Sequence, residues 1–360
     1  MKTKENHRKI LYVGGFVLPD KNAAAQRVIA NAMALKTFGH EVYFINYSKD
    51  IETPLIAHYF DFCCYEYPTV PMYKKLFSIS DIVKIIAEEQ ITDVIAYNYP
   101  APGLNKLLHY CKKHKMHIYA DATEWYVAQG NIVFKTVKTI DTEWRMRKLH
   151  FKTDGVIAIS EYLYNYYKNR VKTIKLPPLV DLKASKWEIN KKHDERNVRF
   201  TYAGSPSAQK ERLDIVIDAI EGISQDFNVV LRVVGITKEQ YEKMYKRVYI
   251  GKRTEFLGRA SHIKAIQEVK AADWSIIIRD NNKVVKAGFP TKVVESISCG
   301  TPVIANDFSN ILDYLNDKNS IICKVDDLQS AIIKASKGRK CICENPFDYR
   351  NFLQTIEELF

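Results

Sequence analysis

The stretch KAGFPTKVVESISCGTPVIAND, Lys286 to Asp307, constrains the chain more than any other. Gly288-Phe289-Pro290 predicts a turn, with Pro290 at the first helical position, where a missing N–H costs nothing. Val293, Val294 and Ile297 give the helix an apolar stripe, and Gly300 just past it is a stop signal. Thr301 to Ala305 then reads as a short buried strand. Loop, helix N-terminus and a carboxylate at Glu295 suit a nucleotide: the helix end takes phosphates and the carboxylate takes ribose hydroxyls. An ordinary α/β packing unit has the same outline, so this run alone leaves both readings open.

The 360 residues exceed one ordinary core and predict two domains of roughly 150–200 residues each. No apolar run approaches the roughly 18–20 residues needed to cross a bilayer. Lys2, Lys4, Arg8 and Lys9 ahead of ILYVGGFVL imitate a secretory leader, with Ala23–Ala25 following. Asp20, Lys21 and Asn22 interrupt that pattern, and a first strand with a glycine turn explains it better. Seven cysteines without framework spacing argue against a disulfide scaffold. Cys341-x-Cys343 lacks the second pair or nearby His that zinc needs, so reduced thiols in a cytosolic protein are expected.

The net charge is +12, and residues 1–180 hold eight of it, with 25 Lys and Arg against 17 Asp and Glu. Such a field draws nucleic acid, anionic lipid or a phosphorylated substrate. The absence of any zinc-finger or RRM-type signature makes nucleic acid the weakest of these.

Along the chain, strand and helix patterns alternate. Arg8–Phe16 reads as a strand running into Gly14-Gly15, Ala23–Phe38 as a helix, and His40–Ile45 as the next strand, a βαβ unit. Neither GxGxxG nor GxxxxGK[ST] is present, which disfavours a dehydrogenase or P-loop NTPase. A helix over Ile79–Glu89, a strand over Asp93–Tyr97, a helix over Leu104–Lys115 and a strand over His117–Ala120 follow. That last strand delivers Asp121 and Glu124 beside Trp125-Tyr126 at its C-terminal end, where open α/β sheets bind ligands. Acids beside aromatics suit sugar hydroxyls and a ring face. A long basic helix ending near Trp144–Lys152 is a candidate for lipid headgroups, or for a solvated face. Another strand and a Tyr-rich helix lead to Leu176-Pro177-Pro178-Leu179, where the first domain (1–180) ends. A linker over 181–197 contains the polar run Lys183–Asn197. A second domain over 198–345 repeats the pattern: strands at Val198–Ala203, Val229–Val234, Thr254–Leu257 and Trp274–Ile278, alternating with helices. Two doubly wound domains predict a ligand cleft between them.

With these pieces in place the chain resembles a retaining glycosyltransferase of the GT-B fold, within glycosyltransferase family 4. Its nearest likeness is to bacterial enzymes of capsule, exopolysaccharide and O-antigen assembly. The motifs that carry the resemblance are Gly204 with Lys210 six residues on, Phe256-Leu257-Gly258-Arg259, Ala271-Ala272-Asp273, and GFPTKVVESISCGTPVIAND. Asn345–Tyr349 and the final helix resemble the family's C-terminal segment, so residues 346–360 are expected to cross back to the N-terminal domain. The fold class expected is α/β, GT-B: two Rossmann-like domains facing each other across a cleft.

The resemblance implies residue roles. Lys210 would neutralise the donor diphosphate and Glu295 would bind ribose. The backbone of Gly288, Phe289 and Pro290 would face the donor sugar, and the Thr291 and Lys292 N–H groups the phosphates. The loop at Gly258-Arg259 would meet the base, and Gly14-Gly15 would let the N-terminal backbone approach the diphosphate. Asp121 and Glu124 occupy the acceptor edge without matching the family's His-Asp element. No DxD sequence or paired carboxylate appears, so a metal-independent transfer and no cofactor are expected. Two departures stand out. Ala287 occupies the position of the family's first glutamate, with Asp280 a candidate replacement. Ser205 stands where the family places Arg, leaving Arg212, Arg279 or Lys286 to supply the second cation.

The function implied is hexose transfer, with retention, from a nucleotide diphosphate sugar onto a saccharide or lipid-linked saccharide hydroxyl. UDP is the leading base carrier and GDP the other. The basic N-terminal domain would rest on the anionic inner face of the plasma membrane. The alternatives are a noncatalytic GT-B subunit that binds nucleotide or saccharide, which Ala287 favours, and a GT-B nucleotide-sugar epimerase.

Overall fold

The computed structural model describes residues 7–19, 22–69, 78–126, 131–189, 197–207, 210–338 and 345–360. Lys2, Lys4, Asp20, Lys21, Cys341, Cys343 and residues 190–196 of the expected linker lie outside them. The chain divides into two compact units. One comprises Met1–Val180, Ala287–Phe289 and Asp348–Phe360, the other Asp181–Lys286 and Pro290–Phe347.

The first unit is built on β1 (Lys9–Gly14), α1 (Ala23–Thr37), β2 (Glu41–Ser48), β3 (Leu55–Tyr59), β4 (Phe62–Pro68), α2 (Ser80–Glu89), β5 (Asp93–Tyr97), α3 (Ala101–Lys113), β6 (His117–Ala122), α4 (Ile132–Trp144), β7 (Gly155–Ala158), α5 (Glu161–Tyr167) and β8 (Thr173–Lys175). Its sheet runs β3-β4-β2-β1-β5-β6-β7-β8. All neighbours are parallel except β3 and β4. Alternation along β1 shows why the sheet is covered on both faces. Ile10 and Tyr12 enter one core with Val28 and Leu35 of α1, whereas Leu11 and Val13 enter another with Ile82 and Ile85 of α2 and Leu104 of α3. Ile356 and Leu359 near the C-terminus join the α1 core.

The β3–β4 hairpin was not expected from periodicity. It turns on Phe60 and Asp61, both at positive φ, the tight two-residue connection that suits the twist of paired strands. The long basic helix is also more divided than expected: α4 passes at Arg145–Leu149 into a π turn and at His150–Lys152 into a 3-10 turn. Asp141 anchors its second half by accepting the Ala101 N–H at the start of α3 (2.7 Å).

The second unit is built on β9 (Val198–Ala203), α6 (Leu213–Glu221), β10 (Val229–Val234), α7 (Lys238–Tyr245), β11 (Thr254–Gly258), α8 (His262–Lys270), β12 (Trp274–Ile277), α9 (Lys283–Ala287), α10 (Thr291–Ser298), β13 (Val303–Ala305), β14 (Ser320–Ile322) and α11 (Leu328–Ser336), and the chain closes in the first unit with α12 (Leu353–Glu357). Its sheet is wholly parallel in the order β11-β10-β9-β12-β13-β14. The chain builds outward from β9 through β10 to β11, then restarts on the other side of β9 with β12. The β9/β12 boundary is therefore the point where strand order reverses, the place where open parallel sheets leave a crevice at their C-terminal ends. Pro290 sits one residue ahead of α10 rather than inside it, and the helix stops before Gly300 as expected. The described part of the expected linker is not merely polar: Ser185–Trp187 forms a 3-10 turn that buries Trp187.

Asp121 departs from the acceptor-edge role expected of it. It is wholly buried, and Arg27 of α1, 2% exposed, grips it through Nε (2.9 Å) and Nη2 (2.8 Å). Arg27 Nη1 also donates to the Leu176 and Pro177 carbonyls (2.9 and 3.1 Å). A carboxylate so enclosed ties α1 to β6 and to the end of the unit, with its oxygens engaged by Arg27. Arg27→Met should leave that carboxylate buried and unpaired. The expected loss is about 3–5 kcal/mol of unfolding free energy, read from urea transitions at pH 7, with Asp121→Asn in the same chain recovering part of it.

Candidate functional site

The C-terminal ends of β9 and β12 carry a concentration of charge. The loop after β9 folds back so that Glu211 pairs with Arg279 beyond β12, and the Arg212 N–H donates to the Ile278 carbonyl (2.9 Å). This brings the Glu211 side chain, 3% exposed, into a nest of cations. Its Oε1 accepts from Arg279 Nη2 (2.6 Å) and from Lys292 Nζ (3.1 Å), and its Oε2 accepts the Ser207 N–H (3.0 Å). Lys292 Nζ donates also to the Tyr202 hydroxyl (2.8 Å) and lies over that ring, 4.6 Å from its centroid.

The electrostatics follow from burial and pairing. Burial works to raise the Glu211 carboxyl, but Lys292 and then Arg279 outweigh it, holding the group below its ordinary value. Burial pushes the Lys292 ammonium down to about 8, with Glu211 opposing that fall and Arg279 adding to it. Burial, then the Glu211 charge, holds the Tyr202 phenol well above its ordinary value, so it stays neutral.

Two glycines make this crowding feasible. Gly204 and Gly235 end β9 and β10 at φ +125° and +111°, and a Cβ on Gly235 would come within 2.5 Å of the Gly204 carbonyl group. A Cβ on Gly204 would lie 2.4 Å from Lys292 Cε, so the lysine stem runs directly under this loop.

Glu295, one turn into α10, points toward the first residue of α8. Its Oε1 is 3.1 Å from His262 Nε2, and both side chains keep partial access to solvent. Ser261 caps α8 by accepting the Lys264 N–H (3.3 Å), which fixes His262 at the helix start.

The other expected residues fall as follows. Lys210 is half-buried in the Glu211 loop, where its carbonyl accepts the Asp280 N–H (3.4 Å), and Ser205 is exposed. Thr291 and Lys292 open α10, directly after buried Pro290. Gly258 ends β11, and its carbonyl accepts the Gly235 N–H (2.7 Å), with Arg259 exposed beyond it. Gly288 and Phe289 group by their contacts with the first unit, as does Ala287, whose side chain is fully enclosed. Asp280 is committed to Arg212 (3.3 Å), which Asp214 also holds (2.9 Å). In the first unit Gly14 is small because a Cβ there would lie 2.4 Å from the Tyr97 carbonyl oxygen, whereas Gly15 faces open space. Glu124 is half-buried after β6, next to Trp125, whose Nε1 donates to Glu143 (2.6 Å).

Residues 185–343 match the family model described as glycosyl transferases group 1. No curated protein matches the chain in sequence. Among solved structures, a sucrose-phosphate synthase from Thermosynechococcus elongatus superimposes with a TM-score of 0.67 at 14% identity, over 98% of this chain and 95% of that one. HepE of Anabaena, solved with UDP and glucose, gives 0.63 at 15% identity, over 98% and 99%. The lipopolysaccharide outer core galactosyltransferase WaaB gives 0.59 at 15%, over 98% and 95%. The fold is GT-B. Within this GT-B chain the sequence reading missed Glu211, the side chain of Lys292 and His262. A buried acid inside a cationic loop was legible only as one more charge in QKERLD, and His262 only as a helix-start residue.

Lys292 supplies a test of the cluster. A lysine whose folded value lies below its unfolded one keeps its proton longer in the unfolded chain, so folding gains stability as pH rises between about 8 and 10.5. Relative to Lys292→Met, the native protein should gain about 2–3 kcal/mol across that window, measured by urea unfolding at pH 8 and pH 10.5. A flat difference would show that the ammonium is not buried as described.

Proposed function

We propose that this chain is a retaining glycosyltransferase that moves a hexose from a nucleotide diphosphate sugar onto a hydroxyl of a saccharide acceptor. The observation that carries the reading is the β9/β12 crevice: cations on the Glu211 loop and the α10 N-terminus lie in the segment that matches glycosyl transferases group 1. A dianionic leaving group needs positive charge and N–H donors already aimed where charge develops, and Lys210 with the start of α10 provide them. Glu295, steadied by His262, takes the ribose hydroxyls, and the turn after β11 at Gly258-Arg259 takes the base. UDP is the favoured carrier, in keeping with HepE solved with UDP and glucose, and GDP is the alternative.

In the reaction proposed, the bond from the anomeric carbon to the diphosphate oxygen breaks. The acceptor oxygen bonds to the same carbon on the same face, and its proton passes to a donor phosphate oxygen. No protein base is needed for that proton, which suits a site with Ala287 in place of a glutamate. Transfer is taken to need neither metal nor cofactor.

The acceptor is proposed to be a lipid-linked saccharide of bacterial surface-polysaccharide assembly, met at the inner face of the plasma membrane. The support is α4. Val133, Val137, Ile140 and Trp144 recur along one side of it and are all exposed, Val133 at 73% and Ile140 at 61%. Lys135, Arg147 and Lys148 on and after the same helix are exposed too. A separate basic groove of about 750 Å³, at the C-terminal end of α3 and the start of β6, is lined by His109, Lys112, Lys115, His117 and Lys152. An apolar helix side flanked by basic groups is the pattern of interfacial adsorption rather than spanning, and no described helix is long and apolar enough to cross a bilayer.

Isothermal titration tests the donor site. UDP is expected to bind, GDP more weakly, and Glu295→Ala and Lys210→Ala should each weaken UDP about tenfold or more, the worth of a charge-assisted hydrogen bond. Wild-type affinity in both variants would remove the assignment. Vesicle sedimentation tests the membrane face. Wild type should bind vesicles containing phosphatidylglycerol and not neutral ones, and Val137→Asp with Ile140→Asp should lower that binding about tenfold or more.

A further inference from the structure

Resting on the reading of this crevice as a diphosphate site, the structure assigns its second cation: we propose that the Lys292 side chain does the work of the arginine that Ser205 replaces. Three observations converge on it. The first is position. Lys292 Cε lies 2.4 Å from where a Gly204 Cβ would stand, and Nζ 3.4 Å, so the ammonium sits beneath the residue that immediately precedes Ser205. It reaches the loop from the α10 side instead of extending from the loop itself.

The second is charge. One Glu211 carboxylate oxygen faces both Arg279 and Lys292, so the buried group carries two positive charges against one negative. Among the described residues, Arg279 Nε is a buried donor with no hydrogen-bond partner. A cluster with excess positive charge and an unmet donor is built to receive an anion. The other groups near Lys292 do not balance it: Tyr202 is held neutral, and Glu295, which faces His262, acts on it least.

The third is mobility, which separates Lys292 from the alternatives. Asn306 clamps the Arg279 backbone by accepting its N–H (2.9 Å) and donating to its carbonyl (2.8 Å), and the guanidinium rests against Phe308, 5.5 Å from the ring centroid. Arg212 is occupied by Asp214 and Asp280. Lys286 is exposed, at the end of short α9. Lys292 alone among these combines a flexible four-carbon stem with a place under the Gly204 loop and at the α10 N-terminus. Arg279 then acts as a positioning residue, keeping Glu211 ionised and in place when Lys292 turns from it to phosphate.

The consequence is measurable without any variant. A buried ammonium with a depressed affinity for its proton regains that affinity when a diphosphate arrives, so binding near pH 8.5 takes up protons. Isothermal titration of wild type with UDP in buffers of different ionisation enthalpy should show an uptake of several tenths of a proton at pH 8.5, where the UDP phosphates are already fully ionised. Lys292→Met should weaken UDP at least tenfold at pH 7 and abolish the uptake. Adding Ser205→Arg to Lys292→Met should restore most of the affinity, now without uptake at pH 8.5, because arginine does not titrate there. A merely structural lysine would give neither the proton signal nor the rescue. UDP binding without uptake, or with wild-type affinity in Lys292→Met, overturns this assignment and leaves the donor-site reading standing. No binding of UDP or GDP by wild type overturns both.

Discussion

A single carboxylate, Glu211, organises the charged end of the second unit. It is nearly inaccessible to water, which would make it prohibitive alone, and it survives because Arg279, Lys292 and the Ser207 N–H all converge on it. Each partner comes from a different part of the chain: the segment beyond β12, the first turn of α10, and the loop after β9. Closing that loop thus requires β9 and β12 to be neighbours, which the parallel strand order provides. The tight glycine ends of β9 and β10 then leave room for the lysine stem. Remove the carboxylate and two buried cations would face each other with nothing between them.

The first unit uses the same kind of pairing to a different end. Arg27 and Asp121 are also buried, and Arg27 spends its remaining donors on the Leu176 and Pro177 carbonyls. That pair is balanced, one charge against one, with its donors engaged by protein. The Glu211 cluster is unbalanced, two against one, with Arg279 Nε unmet. The comparison separates a buried ion pair that only fastens elements together from an unbalanced one, which is what the proposed anion site requires. Sequence spacing does not carry this distinction. Asp121 stood beside two aromatics at a strand end and read as a site residue, whereas Glu211 stood in the charged run QKERLD with nothing in its neighbours to single it out.

Much of the fold was legible because parallel strands buried on both faces are short apolar runs, and the helices between them keep a 3.6-residue period. Val198–Ala203 and Val229–Val234 are the strands expected, residue for residue. The β3–β4 hairpin was not, since in its short edge strand Leu55–Tyr59 the adjacent apolar residues Leu55 and Ile56 are both exposed, so hydrophobicity does not alternate with burial. The linker's Trp187 and the π turn after α4 were lost for a related reason: burial there is decided by a distant surface, not by neighbours in sequence. Around the α10 start, the turn and the helix were legible from turn chemistry and helix signals. The partnerships were not, because His262 with Glu295, and Lys292 with Glu211, join residues 33 and 81 positions apart.

Ser205 and Ala287, the two departures from the pattern the chain resembles, acquire a common sense from the geometry. With Ser205 in the loop, no long side chain competes for the space under Gly204, and the Lys292 stem occupies it. A second carboxylate at position 287 would have to be enclosed where Ala287 is fully buried, at the end of a five-residue helix, with no buried cation assigned to it. The proposed cation stands on α10 instead of on the loop, in the first turn of the helix whose N-terminus is assigned to the same anion, so in that reading phosphate binding and helix position are coupled. Under the proposed assignment, the chain keeps the positive field that a departing diphosphate requires while moving its source from a loop to a helix. That relocation makes the field depend on pH, because a buried lysine titrates near 8 and an arginine does not.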